Sequence, residues 1–485
     1  MLGPRRQRDA LCAGAAQAIK LSSACVLKKR KTVTAELERV ELAVSAMDDQ
    51  GRGIARVNGK VVFVDGALVG ERVVAQYIRQ RGRYDEARTV TVLTENPARV
   101  KPQCAHYDAC GGCVLQHLDP HQQVRLKQAR MLDNLTRLGQ VRPHEVAPAL
   151  VGSAWGYRSR ARLGAKVASR KSPLVLGFRE RKEERLARIE TCDVLHPAMG
   201  KQIGTLTRHL NELSVRDRIA EVEIALTDVS DLSQRPPELG ASEAAAGLIT
   251  VRHLAPLSSN DRTLLRALGV ELGLNIALQA AGSDSVAPLD DAGPVLLEYK
   301  LPEFDLTMRY GPADFTQVNA EMNRRMLVQA MQWLAPAELS SVLDLFCGIG
   351  NFTLPIARSG INVTGIEGAH AAVFQARLNA SANGLANAEF DVADLNEPGA
   401  CKQVLRGQFD GLVLDPPRAG AEAVVRALGG KLPRRIVYVS CSPASLARDL
   451  NVLVHTHGYD LRRVGIIDMF AHTNHVESMA LLERD

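Results

Sequence analysis

At 485 residues, the chain is long enough for about three domains, and its 46% hydrophobic and 24% charged residues are the balance of a folded globular protein. That balance excludes wholesale disorder and fibrous repeats, and no run approaches the ~18 apolar residues of a membrane span. The net charge of +6 is unevenly spread: residues 1–35 hold eight Lys and Arg against one Asp, residues 158–188 eleven against three Glu, and residues 221–305 five against fourteen acids. A segregated basic stretch suits a polyanionic partner, and charge alone fits a solvated face equally well. The first apolar stretch, residues 10–19, is broken by Gln17 and runs into Lys28-Lys29-Arg30-Lys31, a poor secretory signal. Nine cysteines, an odd number in so long a chain, point to a cytoplasmic protein with metal-binding or catalytic thiols rather than a disulfide framework.

Residues 1–35 read as a basic, loosely attached leader. Over residues 36–96, Val40–Val44 alternates apolar and polar, Asn58-Gly59 joins Ile54–Val57 to Lys60–Val64 as a hairpin, and Gly70–Ala75 and Ala87–Leu93 add two strands. About five short strands in so little chain predict a small β-barrel, a shape that often binds oligonucleotides. The segment resembles a TRAM domain, which implies RNA binding.

Residues 97–310 form a mixed α+β central segment. It opens on Cys104-Ala105-His106-Tyr107-Asp108-Ala109-Cys110-Gly111-Gly112-Cys113, followed by an Arg-, Lys- and Gln-rich helix over residues 122–138, set within a span of 115–146 that is expected to pack on the catalytic domain. Residues 231–245 and 281–294 read as surface loops. From residue 311 to 485 helices and strands alternate, with a helix over 320–334 and strands at 342–346, 363–367, 411–415 and 436–440. That rhythm predicts a doubly wound, Rossmann-like α/β domain.

The chemistry concentrates in this last segment. Val342-Leu343-Asp344-Leu345-Phe346-Cys347-Gly348-Ile349-Gly350 is an apolar strand ending in a Gly-x-Gly turn, which lets backbone approach a ligand at the sheet's carboxyl edge. Glu367 ends the next strand, where a carboxylate can accept two ribose hydroxyls, and Asp394 can face an adenine edge. No phosphate-binding Lys-Ser/Thr pair accompanies the turn, so the set suits a nucleoside without pyrophosphate, namely S-adenosylmethionine. Asp415-Pro416-Pro417 is followed by Arg418, not by the aromatic of many exocyclic-nitrogen methyltransferases. Cys441, at the end of the next strand beside Ser440 and Ser442, is placed to be a nucleophile. Carbon 5 of a pyrimidine becomes nucleophilic once a thiolate adds to carbon 6, and a base must later remove the C5 proton. Glu477, in His472-Thr473-Asn474-His475-Val476-Glu477, offers that base. The two histidines read equally well as hydrogen-bonded scaffolding, and Asn474 between them makes a metal site a poor reading.

Together with Phe315-Thr316-Gln317-Val318-Asn319, these residues give a chain that resembles the RNA uracil-C5-methyltransferase family over residues 39–485. The resemblance implies that Gln317, Phe346, Asn351, Glu367, Asp394 and Asp415 contact S-adenosylmethionine, with Cys441 as nucleophile and Glu477 as base. Asp394 stands where related members often have Asn. Cys104, Cys110 and Cys113 need a fourth ligand, and Cys192 can supply it; four thiolates fit zinc or an iron–sulfur cluster, and spacing does not choose. Possession of both barrel and cysteines resembles the ribosomal branch of the family. That branch implies a [4Fe–4S] cluster and formation of 5-methyluridine in 23S ribosomal RNA, with no obligate protein partner. The rival readings are a uracil-C5 methyltransferase acting on tRNA or another rRNA site, a TRAM-bearing radical methylthiotransferase, disfavoured because its thiols are spaced C-x3-C-x2-C, and a non-catalytic RNA-binding protein, disfavoured by intact Cys441 and Glu477.

Overall fold

The computed structural model describes residues 38–169, 171–181, 185–227, 247–290, 296–430 and 432–484. The basic leader and the loop expected over 231–245 lie outside the described residues. No helix among the described residues is long and apolar enough to cross a membrane.

Six strands build the N-terminal sheet: β1 (Arg39–Ala43), β2 (Ala46–Met47), β3 (Gly53–Val57), β4 (Lys60–Asp65), β5 (Arg72–Gln80) and β6 (Tyr84–Thr94), in the order β1-β5-β6-β4-β3-β2. Asn58 and Gly59 have φ of 49° and 81°, the left-handed pair that a tight two-residue hairpin needs. Alternate residues Val62, Val64, Val73, Ala75 and Ala87 fill a closed interior. The five expected strands are present; β2, two residues long, is too short to leave a pattern in the sequence. Glu71, fully buried, accepts from Arg99 Nε (2.5 Å) and Nη2 (2.7 Å), which pins the following segment to the barrel. Removing one member of such a buried pair costs about 3–5 kcal/mol.

A helix, α1 (Pro120–Asn134), follows the cysteine run. Asp119 Oδ1 caps it by accepting from the backbone of His121 (3.0 Å) and Gln122 (3.2 Å), and Pro120 supplies a preset first turn. Helix does not fill the 115–146 span. A π-helical turn over Leu135–Gly139 closes α1, Gln140 is left-handed, and β7 (Glu145–Val146) joins the far edge of the catalytic sheet. Met131 and Leu135 are buried in one apolar cluster with Leu412, Leu446 and Leu450.

The central sheet contains β8 (Arg160–Val167), β9 (Leu174–Gly177), β10 (Ile219–Leu226), β11 (Gly247–His253), β12 (Asn275–Gln279) and β13 (Val286–Pro288), in the order β13-β12-β11-β10-β8-β9. Part of the stretch expected as a loop over 281–294 is thus strand, because Val286–Pro288 pairs with β12. Charge segregation in the sequence partly cancels here. Arg160 and Arg162 on β8 face Glu223 and Glu221 on the adjacent β10, at 2.5–3.2 Å. Both arginines are paired with acids of the same sheet, Arg160 half-buried and Arg162 at the surface.

The hairpin β14 (Leu297–Leu301) and β15 (Leu306–Tyr310), expected with the central segment, buries Leu297, Leu301, Met308 and Tyr310 against Met322 and Met326 of the catalytic core. The catalytic sheet comprises β16 (Ser341–Leu345), β17 (Asn362–Glu367), β18 (Ala388–Val392), β19 (Gly411–Leu414), β20 (Arg435–Ser440), β21 (Asp460–Ile467) and β22 (Glu477–Glu483), in the order β18-β17-β16-β19-β20-β22-β21-β7. Strands β16 to β20 are parallel, and β22 lies antiparallel between β20 and β21. Alternation sends Val342, Val413 and Val437 into one core and Leu343, Leu412 and Ile436 into the other. Both faces are therefore covered, as a doubly wound sheet requires.

Candidate active site and thiol cavity

Five of the eight expected cofactor and catalytic residues sit at the carboxyl ends of catalytic strands, as ligand sites of open α/β sheets do. Phe346 follows β16, Glu367 ends β17, Asp394 lies two residues past β18, Asp415 follows β19 and Cys441 follows β20. The other three are the loop residue Gln317, Asn351, which follows the glycine turn, and Glu477, which begins the antiparallel β22 at the same edge. The turn after β16 bends sharply, with positive φ at Phe346 (65°), Gly348 (55°) and Gly350 (94°). A side chain on Gly350 would press Leu354 at 3.2 Å and Phe390 at 3.4 Å. Phe346 tolerates the left-handed region because its N–H and that of Cys347 both donate to the Ile366 carbonyl, at 2.9 and 3.1 Å. Glu367 is held by the N–H groups of Gly348 (3.2 Å) and Ala369 (3.0 Å), one on each carboxylate oxygen, which leaves lone pairs for two hydroxyls.

Not every expected contact is free to serve. The Asn351 amide is paired reciprocally with Asn323 (3.1 and 2.9 Å), and its oxygen also accepts from the Tyr299 hydroxyl (2.9 Å). Asp394 is exposed and turns its Oδ1 back to Asn396 N (2.9 Å) and Nδ2 (3.0 Å). Asp344, embedded in the apolar strand, went unassigned in the sequence although a carboxylate in such a run is a visible anomaly. It is fully buried, accepts from Thr353 Oγ1 at 2.5 Å, and burial pushes its pKa up to about 7.

Cys441 and Glu477 come together through the sheet. The β20–β22 ladder ends at Ser440 opposite Ser478, and the next register position sets Cys441 across from Glu477. Burial, then the carboxyls of Glu477 and Asp415, push the Cys441 thiol up to about 11, while Arg418 draws it down. Glu477 is buried, and desolvation followed by Asp415 holds its pKa well above the usual carboxylate range. Asp415 itself is pushed up to about 7 by burial. One thiol and two carboxyl groups thus share a poorly hydrated pocket, the setting in which a carboxylate, once ionised, is a strong base.

The remaining described cysteines separate cleanly. Cys347 and Cys401 are buried, and Cys401 donates to the Leu395 carbonyl. Cys104, Cys110, Cys113 and Cys192 line one cavity of about 180 Å³ with Tyr107, Tyr157 and Phe178. Burial raises each thiol, Cys113 to about 12, with neighbouring thiols adding to the rise at Cys110, Cys113 and Cys192 and the Asp193 carboxyl at Cys104. Backbone N–H groups of His106 and Gly112 point at the sulfurs of Cys104 and Cys110, both at 3.4 Å. A Cβ on Gly111 would sit 2.8 Å from the Arg179 carbonyl, so the turn needs glycine. Arg181 braces the loop, donating to the carbonyls of Cys113 (2.7 Å) and Cys110 (3.3 Å) over the Tyr107 ring. No three His, Cys, Asp or Glu among the described residues converge closely enough for a single metal ion.

Comparison with known proteins agrees with this geometry. Residues 297–485 match the family model described as tRNA (Uracil-5-)-methyltransferase, and residues 32–90 match the TRAM domain. The chain is 43% identical over 456 residues to a 23S rRNA (uracil(1939)-C(5))-methyltransferase of Methylococcus capsulatus, covering 94% of this chain and 99% of that protein. It is 42% identical to the protein of the same name in Hahella chejuensis, covering 92% of this chain and 98% of the other. In fold it is similar to the Pyrococcus abyssi tRNA (uracil-54, C5)-methyltransferase, solved with S-adenosyl-L-homocysteine. The TM-score is 0.69 at 23% identity, over 91% of this chain and all of that one.

Proposed function

The chain belongs to the RNA uracil-C5-methyltransferase family, and on that basis we propose that it forms 5-methyluridine in 23S rRNA, at a site of the uracil-1939 type. The observation that carries this reading is the nearness of Cys441 to Glu477, each one residue beyond the Ser440–Ser478 pair that ends the β20–β22 ladder. S-adenosylmethionine would supply an electrophilic methyl group, held by Gln317, Phe346, Glu367 and Asp415 at the carboxyl edge, with Asn351 and Asp394 as weaker contacts. The Cys441 thiolate adds to C6 of the uracil, forming the S–C6 bond and displacing the C5–C6 π electrons toward C5 and O4. C5 then takes the methyl group, leaving S-adenosylhomocysteine. Glu477 accepts the C5 proton as the S–C6 bond breaks, which restores the ring and the thiolate.

Cys104, Cys110, Cys113 and Cys192 would hold a [4Fe–4S] cluster, which would cross-link the loop after the barrel to the central sheet. The cavity volume, the N–H groups aimed at sulfur and mutual repulsion among buried thiols fit a polyvalent cationic group. Resemblance to the ribosomal branch of the family, and not the spacing of the thiols, favours the cluster over zinc. Substrate in the ribosome implies a cytoplasmic protein. Mapping 5-methyluridine in ribosomal RNA from cells lacking the protein tests the function: a single missing 23S site is expected, and loss confined to tRNA would overturn it.

A further inference from the structure

Residues 468–476 connect β21 to β22 and lead directly into Glu477. Their conformation is imposed from outside the catalytic sheet. The buried Lys127 ammonium donates to Asp468 Oδ1 (2.6 Å) and the Phe470 carbonyl (2.9 Å), and Tyr157 donates to the Ala471 carbonyl (3.1 Å). At the centre His472 takes φ of 63°, which for a residue with a side chain costs on the order of 1 kcal/mol. Its N–H donates to Gln123 Oε1 (2.9 Å), and its carbonyl accepts from Val114 (2.9 Å) and Leu115 (3.0 Å). Gln123 Nε2 donates in turn to the carbonyls of Leu115 (3.0 Å) and Leu118 (2.8 Å). Both Gln123 and His472 are almost wholly buried, and Trp155 lies 4.0 Å from the His472 ring.

We propose that Gln123 is a positioning residue for proton removal: through the left-handed turn at His472 it fixes the loop that aims Glu477, against the segment that follows Cys113. This rests on the reading of Glu477 as the base. Strained backbone persists only where its surroundings over-determine it, and here one buried amide joins both sides of the contact. A misplacement of about 1 Å in a reacting group can cost about 10²-fold in rate.

The test follows the covalent protein–RNA adduct formed with methyl-labelled S-adenosylmethionine, using the full chain. For Gln123→Ala, KM for RNA and for S-adenosylmethionine should stay within about twofold while adduct resolution slows about 10²-fold. A variant with raised KM and normal resolution would overturn the proposal. Where Gln123→Ala does not fold, a pair at His472 decides. His472→Asn accepts the left-handed conformation and His472→Val resists it, so His472→Val should resolve its adduct more slowly. Equal resolution by the two counts against the proposal. Normal resolution by Glu477→Gln would overturn the base reading and the positioning role with it. Slow resolution by Glu477→Gln, with normal resolution by Gln123→Ala and His472→Val, overturns the positioning role alone.

Discussion

The thiol cavity and the Cys441 site are both places where burial raises cysteine pKa values, yet their neighbours differ in kind. Around the cavity the thiols mainly face one another, aromatic rings and backbone N–H groups, and a single carboxyl, Asp193, acts on Cys104. Around Cys441 stand two carboxyls and one arginine. Four buried thiols that repel each other become stable by sharing a cation, whereas one thiol beside a proton acceptor can leave and return to the neutral state within a reaction cycle. Burial alone therefore does not separate a structural cysteine from a reactive one. The neighbouring groups do.

The largest expected effect lies on the reactive side. Cys441→Ala should abolish methylation and form no covalent RNA adduct, because C5 never becomes nucleophilic; a labelled adduct on a denaturing gel would break the contrast at once. Glu477→Gln should still add and still accept the methyl group, then stall, lowering turnover by about 10²–10⁴-fold while the labelled adduct accumulates. On the structural side, Cys110→Ser should lose visible absorbance and about 2–4 kcal/mol of stability, as loss of a cross-link does, measured by chemical unfolding. If that variant folds and binds RNA normally yet transfers no methyl group, the cavity is not merely structural.

Two pH experiments sharpen the same contrast by smaller amounts. Below its pKa of about 11 the Cys441 thiolate fraction rises with pH, so alkylation of the free protein at Cys441 should climb about tenfold per unit from pH 7 to 9. Asp415→Asn removes a carboxylate that opposes the thiolate and should move that profile to lower pH; an unchanged profile would show that Asp415 does not act on the thiol. The smallest effect concerns Asp344. Its folded pKa is raised to about 7, so the stability it confers is complete below its unfolded value and is lost as pH rises through about 7. Asp344→Asn should accordingly be more stabilising at pH 8 than at pH 5 by about 2–3 kcal/mol, read from urea midpoints at both values.

Patterns that repeat locally were legible in the chain itself. The Asn58-Gly59 hairpin, the alternation of the barrel strands, the Gly-x-Gly turn and the βα rhythm from Ala320 onward all follow from side-chain periodicity and turn chemistry. The candidate residues at strand ends were legible for the same reason, since a strand's carboxyl end can be read from where its apolar run stops. What the sequence by itself could not determine depends on partners distant along the chain. The basic stretch loses Arg160 and Arg162 to acids on β10, Asn351 gives its amide to Asn323 and Tyr299, and the β14–β15 hairpin joins the catalytic core. Gln123 looks like an ordinary helix residue until the fold brings His472 to it. Antiparallel insertion of β22 beside β20 is likewise a tertiary decision, and it alone puts Cys441 opposite Glu477. Local periodicity fixes which face a residue shows; only packing fixes what that face meets, because the partner, whether an apolar surface or a polar group to be satisfied, lies far along the chain.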